Sequence, residues 1–218
     1  MHAFIFWGFL VVALRTIILF GEGFVSDFNL PLMNTSFGDV YNITKNLFEA
    51  LVLLGVTTLL IRRIFLRPKR LTLSIEADLI LILIGILMVT DFLMEWKTET
   101  PWYTINYFIH TVGILLFLNY LPYGKHFHII TAIPNVFLRK TKPYGQLRSI
   151  NLEDEPATTF GVEKITEFTW KQYLDLYSCT ECGRCYEQCP ASATDKILNP
   201  KELTIALRNH LYKKLETP

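Results

Sequence analysis

The sequence predicts an all-α protein, with four membrane-spanning helices in residues 1–122 and a small helical module near the end of the chain. Three observations lead there. The chain is 51% hydrophobic with a mean hydropathy of +0.30, yet 19% of its residues are charged, so the two kinds must be segregated. Residues 1–122 contain four apolar runs, each close to the ~20 helical residues that cross a bilayer core. All four cysteines fall in one run, CTECGRCYEQCP at 179–190, flanked by stretches with helical periodicity. A length of 218 residues suits one membrane domain plus one soluble module, and a net charge of +1 gives no nucleic-acid signal.

The predicted spans run 3–21, 44–65, 73–94 and 104–122. The first, AFIFWGFLVVALRTIILFG, has no basic segment before it and no small-x-small site after it, so it is expected to be retained. Charge in the connecting segments orients the bundle. Residues 21–43 carry Glu22, Asp27 and Asp39 but no Lys or Arg, whereas RRIFLRPKR carries Arg62, Arg63, Arg67, Lys69 and Arg70. The loop 95–103 has Lys97 between Glu95 and Glu99, and Lys125, Arg139, Lys140, Lys142 and Arg148 follow the fourth span before Glu153. The positive-inside rule therefore predicts an inner-membrane, multi-pass protein with both termini and the 62–70 loop in the cytoplasm. Clustered rather than scattered cysteines fit that reducing side.

Ionisable residues inside spans are costly and point to function. Arg15, Glu49, Asp91 and His110 contribute one to each span, all within roughly 6–10 Å of the outer boundary. They are candidates for a quinone pocket or a proton path. The plainer alternative is a structural ion pair, Arg15 with Glu49 or Asp91, and a hydrogen-bonded histidine beside it. For a b-type haem, His110 and His126 would lie about 24 Å apart along one helix and could not share it. His2 with His126 or His128 is the candidate inner pair; His110 with Met88 is a weaker set. The alternative places His126 and His128 at the lipid headgroups.

In the soluble module, Pro143, Gly145, Pro156 and the acidic 153–155 mark a linker over 140–160. Thr169 with Gln172 forms a capping box that opens a short helix leading into Cys179. A second helix starts at Asn199, with Pro200 and Glu202 behind it and Leu203, Ala206, Leu207 and Leu211 at helical spacing. His210 on that helix reads as an ordinary surface residue. The run between them is Cys179-x2-Cys182-x2-Cys185-x3-Cys189-Pro190, which wraps three thiolates tightly around a compact centre, with Gly183 allowing a close turn. Structural zinc prefers two separated cysteine pairs, so the run predicts a [4Fe–4S] cluster. Cys189 either closes a solitary cluster or reaches a second one whose other ligands lie elsewhere.

LPYGKHFHIITAIPNVFLRK (121–140), FTWKQYLDLYSCTECGRCYEQCPA (168–191) and FWGFLVVALRTIILFGEGF (6–24) resemble the membrane-bound iron–sulfur oxidoreductases related to heterodisulfide reductase. The resemblance implies a membrane domain akin to the nitrate reductase gamma subunit over 1–122. It further implies a basic juxtamembrane segment and linker at 123–160, and an incomplete α-helical ferredoxin-like module at 161–218. It implies electron transfer between a cytoplasmic redox protein and a membrane quinone of the menaquinone kind. That protein would be electron-transferring flavoprotein or a thiol–disulfide oxidoreductase subunit, and b-type haem is common in the family. The second cysteine run and the cysteine-rich domains of that architecture have no counterpart in these 218 residues, so the sequence is expected to be either a separate subunit whose partner polypeptide bears them or a truncated chain. The rival expectation is a membrane anchor that assembles a soluble iron–sulfur oxidoreductase without quinone or haem of its own.

Overall fold

The computed structural model describes residues 1–216 apart from 26, 27, 29, 32, 97–100, 142, 144–152 and 154–160. Asp27, Lys97, Glu99, Lys142, Arg148 and most of the predicted linker, Gly145 and Pro156 included, lie outside the described residues. Among the described residues the chain forms helices and no strand. It divides into two units, Met1–Pro68 with Leu73–Tyr120, and Lys69–Thr72 with Leu121–Pro218.

The first unit is four helices, α1 (His2–Phe24), α2 (Ser36–Ile61), α3 (Ile75–Trp96) and α4 (Trp102–Tyr120), packed α1 on α2, α2 on α3 and α3 on α4. Each predicted apolar segment falls largely within one of them. By length and composition α1 and α3 can cross a membrane, and α4 qualifies as one half of a bent pair with the helical segment 125–137. The helix α2 is long, but Asp39, Lys45 and Glu49 all lie in its stretch 36–49. It starts eight residues before the predicted span, where Thr35 caps it by accepting from the Phe37 amide and Asp39 favours the first turn. Its last turn widens at Arg62–Leu66 and stops at Arg67, whose φ of +40° precedes Pro68. Arg63 there binds Asp78 (2.5 Å) and the Ser74 carbonyl (3.1 Å), joining the ends of α2 and α3.

Polarity in this unit is inverted relative to a water-soluble bundle. Phe6, Phe9, Leu47, Leu54, Phe108 and Leu116 face outward, whereas Lys45, Glu49, Asp91 and His110 are buried. Close approach rests on small residues: a Cβ on Gly8 would meet Val52 at 2.1 Å, and one on Gly113 would meet Leu87 at 2.8 Å.

The second unit contains α5 (His128–Phe137), α6 (Trp170–Tyr177), the short turns α7 (Arg184–Glu187) and α8 (Pro190–Ala193), and α9 (Pro200–Glu216). The predicted capping box is present: the Thr169 amide donates to Gln172 Oε1 (2.7 Å) and the Gln172 amide to Thr169 Oγ1 (3.3 Å). Asn199 Oδ1 likewise accepts from the amides of Lys201 and Glu202 at 3.1 and 3.2 Å. Between α6 and α9 a small core forms from Ile165, Leu176 and Leu211, with Phe168, Tyr173, Tyr177 and Leu207 against it. Leu203, at the same helical spacing, is exposed, as is His210.

Candidate functional site

Two constellations of polar residues stand out, one in each unit. In the first unit Lys45 is fully buried and meets three carboxylates: Glu49 at 2.8 Å, Asp91 at 3.3 Å and Glu95 at 2.7 Å. The Glu49 contact is an i,i+4 pair along α2; the other two come from α3. Arg15 of α1 adds a second cation, 3.8 Å from Asp91 and 3.9 Å from Glu22. Tyr41 donates its hydroxyl hydrogen to the Val11 carbonyl (3.0 Å), tying α2 to α1 beside this group. His110 of α4 is buried, with Nδ1 2.9 Å from the Thr90 hydroxyl, next in sequence to Asp91.

The structure thus brings together Arg15, Glu49 and Asp91 as expected, and places His110 one residue away through Thr90. The sequence reading missed Lys45, the hub of the group, and Glu95, its third acid. A cavity of about 140 Å³ lies against Arg15, lined also by Ile18, Glu22, Met33, Tyr41 and Asn42. The haem candidates fall in separate units, His2 at the start of α1 and His126 and His128 in the second unit. His126 is buried, and His128 Nδ1 lies 2.9 Å from the Lys125 carbonyl.

In the second unit the four cysteines are free thiols on the loop between α6 and α8; Cys179 and Cys189 are half-buried, Cys182 and Cys185 exposed. The loop needs two left-handed residues, Glu181 at φ +55° and Gly183 at φ +74°. Gly183 has a second reason to be glycine: a Cβ there would meet the Arg70 carbonyl oxygen at 2.3 Å. So the backbone that crowds Gly183 belongs to the segment 69–72, which packs on the loop as part of this unit. Arg70 pairs with Glu187, and Lys201 Nζ donates to the Arg70 carbonyl at 3.2 Å.

Glu181, non-glycine in a region that disfavours side chains, is held in place by charge. It is buried, accepts from Lys125 Nζ (2.6 Å) and pairs with Arg208, whose other guanidinium nitrogen donates to the Cys179 carbonyl at 3.1 Å. Burial opposes its charge, but the hydrogen bonds from Lys125 and Arg208 outweigh it and keep the carboxyl below the usual glutamate range.

The donor set fits an iron–sulfur group. Burial acts to raise the Cys182 thiol, yet the Arg184 amide, the Thr180 hydroxyl and the Arg184 charge bring it below the ordinary value. Cys189 is lowered by the amides of Ser192 and Ala191. Amide N–H groups aimed at thiolate sulfur are a feature that tunes such centres. Among the described residues no three Cys, His, Asp or Glu side chains converge on a single metal ion.

No family model and no solved structure matches the chain. Curated relatives do. The chain is 33% identical, over 98% of its length, to the probable iron-sulfur-binding oxidoreductase FadF of Bacillus subtilis (strain 168), covering 34% of that protein. It is 31% identical over the same share to the EtfAB:quinone oxidoreductase of Syntrophomonas wolfei subsp. wolfei, covering 35% of it. Over 63% of its length it is 29% identical to one component of the dihydromethanophenazine:CoB–CoM heterodisulfide reductase of Methanosarcina barkeri (strain Fusaro), covering 57% of that component. The chain spans about a third of the length of the first two relatives. It is thus related to an iron–sulfur-binding oxidoreductase, FadF, and is similar to a quinone oxidoreductase and a heterodisulfide reductase component.

Proposed function

We propose that this chain is the membrane electron-transfer portion of a quinone-linked oxidoreductase, passing electrons between a cytoplasmic redox protein and membrane quinone. One observation carries the reading. A single chain joins long apolar helices to a loop that carries all four of its thiols. The names of its relatives support it.

In this reading Cys179, Cys182, Cys185 and Cys189 hold a [4Fe–4S] cluster, either alone or with Cys189 turned to a second one. When bound, the cluster supplies one-electron transfer. Gly183 and Glu181 shape the loop around it, and Arg208 and Lys125 fix Glu181 and so the loop's path. Arg70, whose carbonyl lies against Gly183, fixes the backbone of the loop from one side.

The helices α1 to α4 act as four spans, with both termini and the 62–70 turn in the cytoplasm. Arg15, Glu49, Asp91 and His110 serve quinone or proton handling. A b-type haem is the further cofactor that this reading admits, with His2, His126 and His128 as candidate ligands. The electron partner is an electron-transferring flavoprotein or a thiol–disulfide oxidoreductase subunit. A second cysteine run, in this polypeptide or in another, completes the module.

The test is purification from native membranes, with iron analysis and EPR of the reduced protein. Cys182→Ser is expected to abolish the cluster signal while the chain still inserts in the membrane. An unchanged signal, or zinc without iron in the wild type, would overturn the ligand assignment. A reduced-minus-oxidised optical spectrum decides the haem: b-type bands support it, and a broad iron–sulfur bleach alone removes it.

A further inference from the structure

The buried group around Lys45 is chemically incomplete as an ion-pair network. Its members are Arg15 and Lys45, both cationic, and Glu49, Asp91 and Glu95, the last standing partly open at the rim. Two positive charges against three negative ones leave one negative charge uncompensated where a net charge is costly. Glu22, 3.9 Å from Arg15 and a third exposed, adds to the excess at the rim rather than relieving it. Tyr41 and His110 complete the titratable groups facing the centre, from α2 and α4.

The oxygens concerned identify themselves. Glu49 Oε2 and Asp91 Oδ1 are buried and receive no hydrogen bond, while the other oxygen of each carboxyl meets the same Lys45 Nζ, at 2.8 and 3.3 Å. Two buried carboxylates converging on one ammonium repel each other unless one of them carries a proton. Asp91 faces both Arg15 and Lys45, while Glu49 faces Lys45 alone, so the proton belongs on Glu49 with Asp91 ionised.

Arg15, 3.8 Å from Asp91, also lines a small cavity whose walls include neither Glu49 nor Asp91. The cavity beside Arg15, at about 140 Å³, holds several waters, each of which needs on the order of 10–15 Å³ of such space. It is well below the roughly 300 Å³ at which sites for organic ligands begin.

We propose that Glu49 and Asp91 form a carboxylic acid–carboxylate pair sharing one exchangeable proton, supplied from water at Arg15, and that this pair is a proton station rather than a quinone pocket. The shared proton stands on geometry alone; its use by quinone rests on the function proposed above. Reducing a quinone to quinol takes two electrons and two protons. The Glu49 O–H bond breaks as a quinone O–H forms, and the pair recovers its proton from the cavity water. Quinol oxidation runs the same transfer backwards.

Infrared spectroscopy of the full chain purified from membranes tests the proton without any turnover. The wild type at neutral pH is expected to show a carboxylic-acid C=O band that is absent from both Glu49→Gln and Asp91→Asn. Gln carries no charge, and Asn leaves two acids against two cations, so either variant removes the need for the proton. A band missing from the wild type, or surviving in both variants, overturns the pair. Quinone-coupled turnover tests the station: Glu49→Gln is expected to slow it at least tenfold with cluster reduction by dithionite unchanged. Unaltered turnover in that variant overturns the station, and absence of quinone reduction by the wild type overturns the proposed function while leaving the infrared result standing.

Discussion

Each unit of this protein holds one buried ion between ions of the opposite sign, and the signs are reversed. In the helical unit a cation, Lys45, sits among Glu49, Asp91 and Glu95. In the cysteine unit an anion, Glu181, sits between Lys125 and Arg208. The first arrangement leaves surplus negative charge inside the helical unit. The second surrounds a loop of thiols with cations, which offsets the negative charge that thiolates bring. The lesson is that each hub is fixed by more than one ion of the opposite sign.

The comparison can be broken most forcefully at Lys45. Lys45→Met leaves three acids facing only Arg15, and removing one partner of a buried ionic group costs about 3–5 kcal/mol. Thermal unfolding in detergent should show a large loss for the helical unit. Glu49→Gln added to Lys45→Met should recover part of it, and no recovery would mean that Lys45 acts by packing alone.

At the opposite hub, Glu181→Gln exchanges charge-assisted hydrogen bonds for neutral ones and should cost about 1.5–3 kcal/mol. The loss should be confined to the cysteine unit, read as faster proteolysis of the loop with the helices still protected. Gly183→Ala tests the same loop through the backbone. The φ of +74° and the Arg70 carbonyl together should cost about 1–3 kcal/mol and lower iron content at fixed expression.

The smallest effect is expected at Glu167, a surface residue in neither hub, which accepts from the amides of Glu163 (2.8 Å) and Lys164 (3.2 Å). Those hydrogen bonds hold its carboxyl below the usual range. Its stabilising contribution is therefore present at neutral pH and lost as pH falls through that lowered value. Amide exchange at residues 163 and 164, corrected for intrinsic rates, should lose protection on acidification in the wild type and be pH-insensitive in Glu167→Gln.

The sequence disclosed some of this and concealed the rest for physical reasons. Arg15, Glu49 and Asp91 were visible because a charge in an apolar run is anomalous wherever it occurs. Lys45 was not, because it stood at the edge of the predicted span, where a lysine ordinarily reaches the interface. The signal that could have found it lies upstream: Thr35 and Asp39 start α2 eight residues earlier, which moves Lys45 to the third turn and inside. Glu95 was hidden in the same way, read as loop when it ends α3. The capping residues Thr169 and Asn199 were legible because their hydrogen bonds are local. The role of Arg70 against Gly183 was not, since no short-range pattern encodes a contact between residues so far apart.

That distance has a consequence for how the protein is made. Arg70 and Glu187 are separated by 117 residues, and Lys201 from Arg70 by 131. A contact of that span closes late, after the intervening chain has been synthesised and its helices placed. Until then the cysteine loop lacks the backbone that seats Gly183, so its folded path is completed only at a late stage of the chain's assembly.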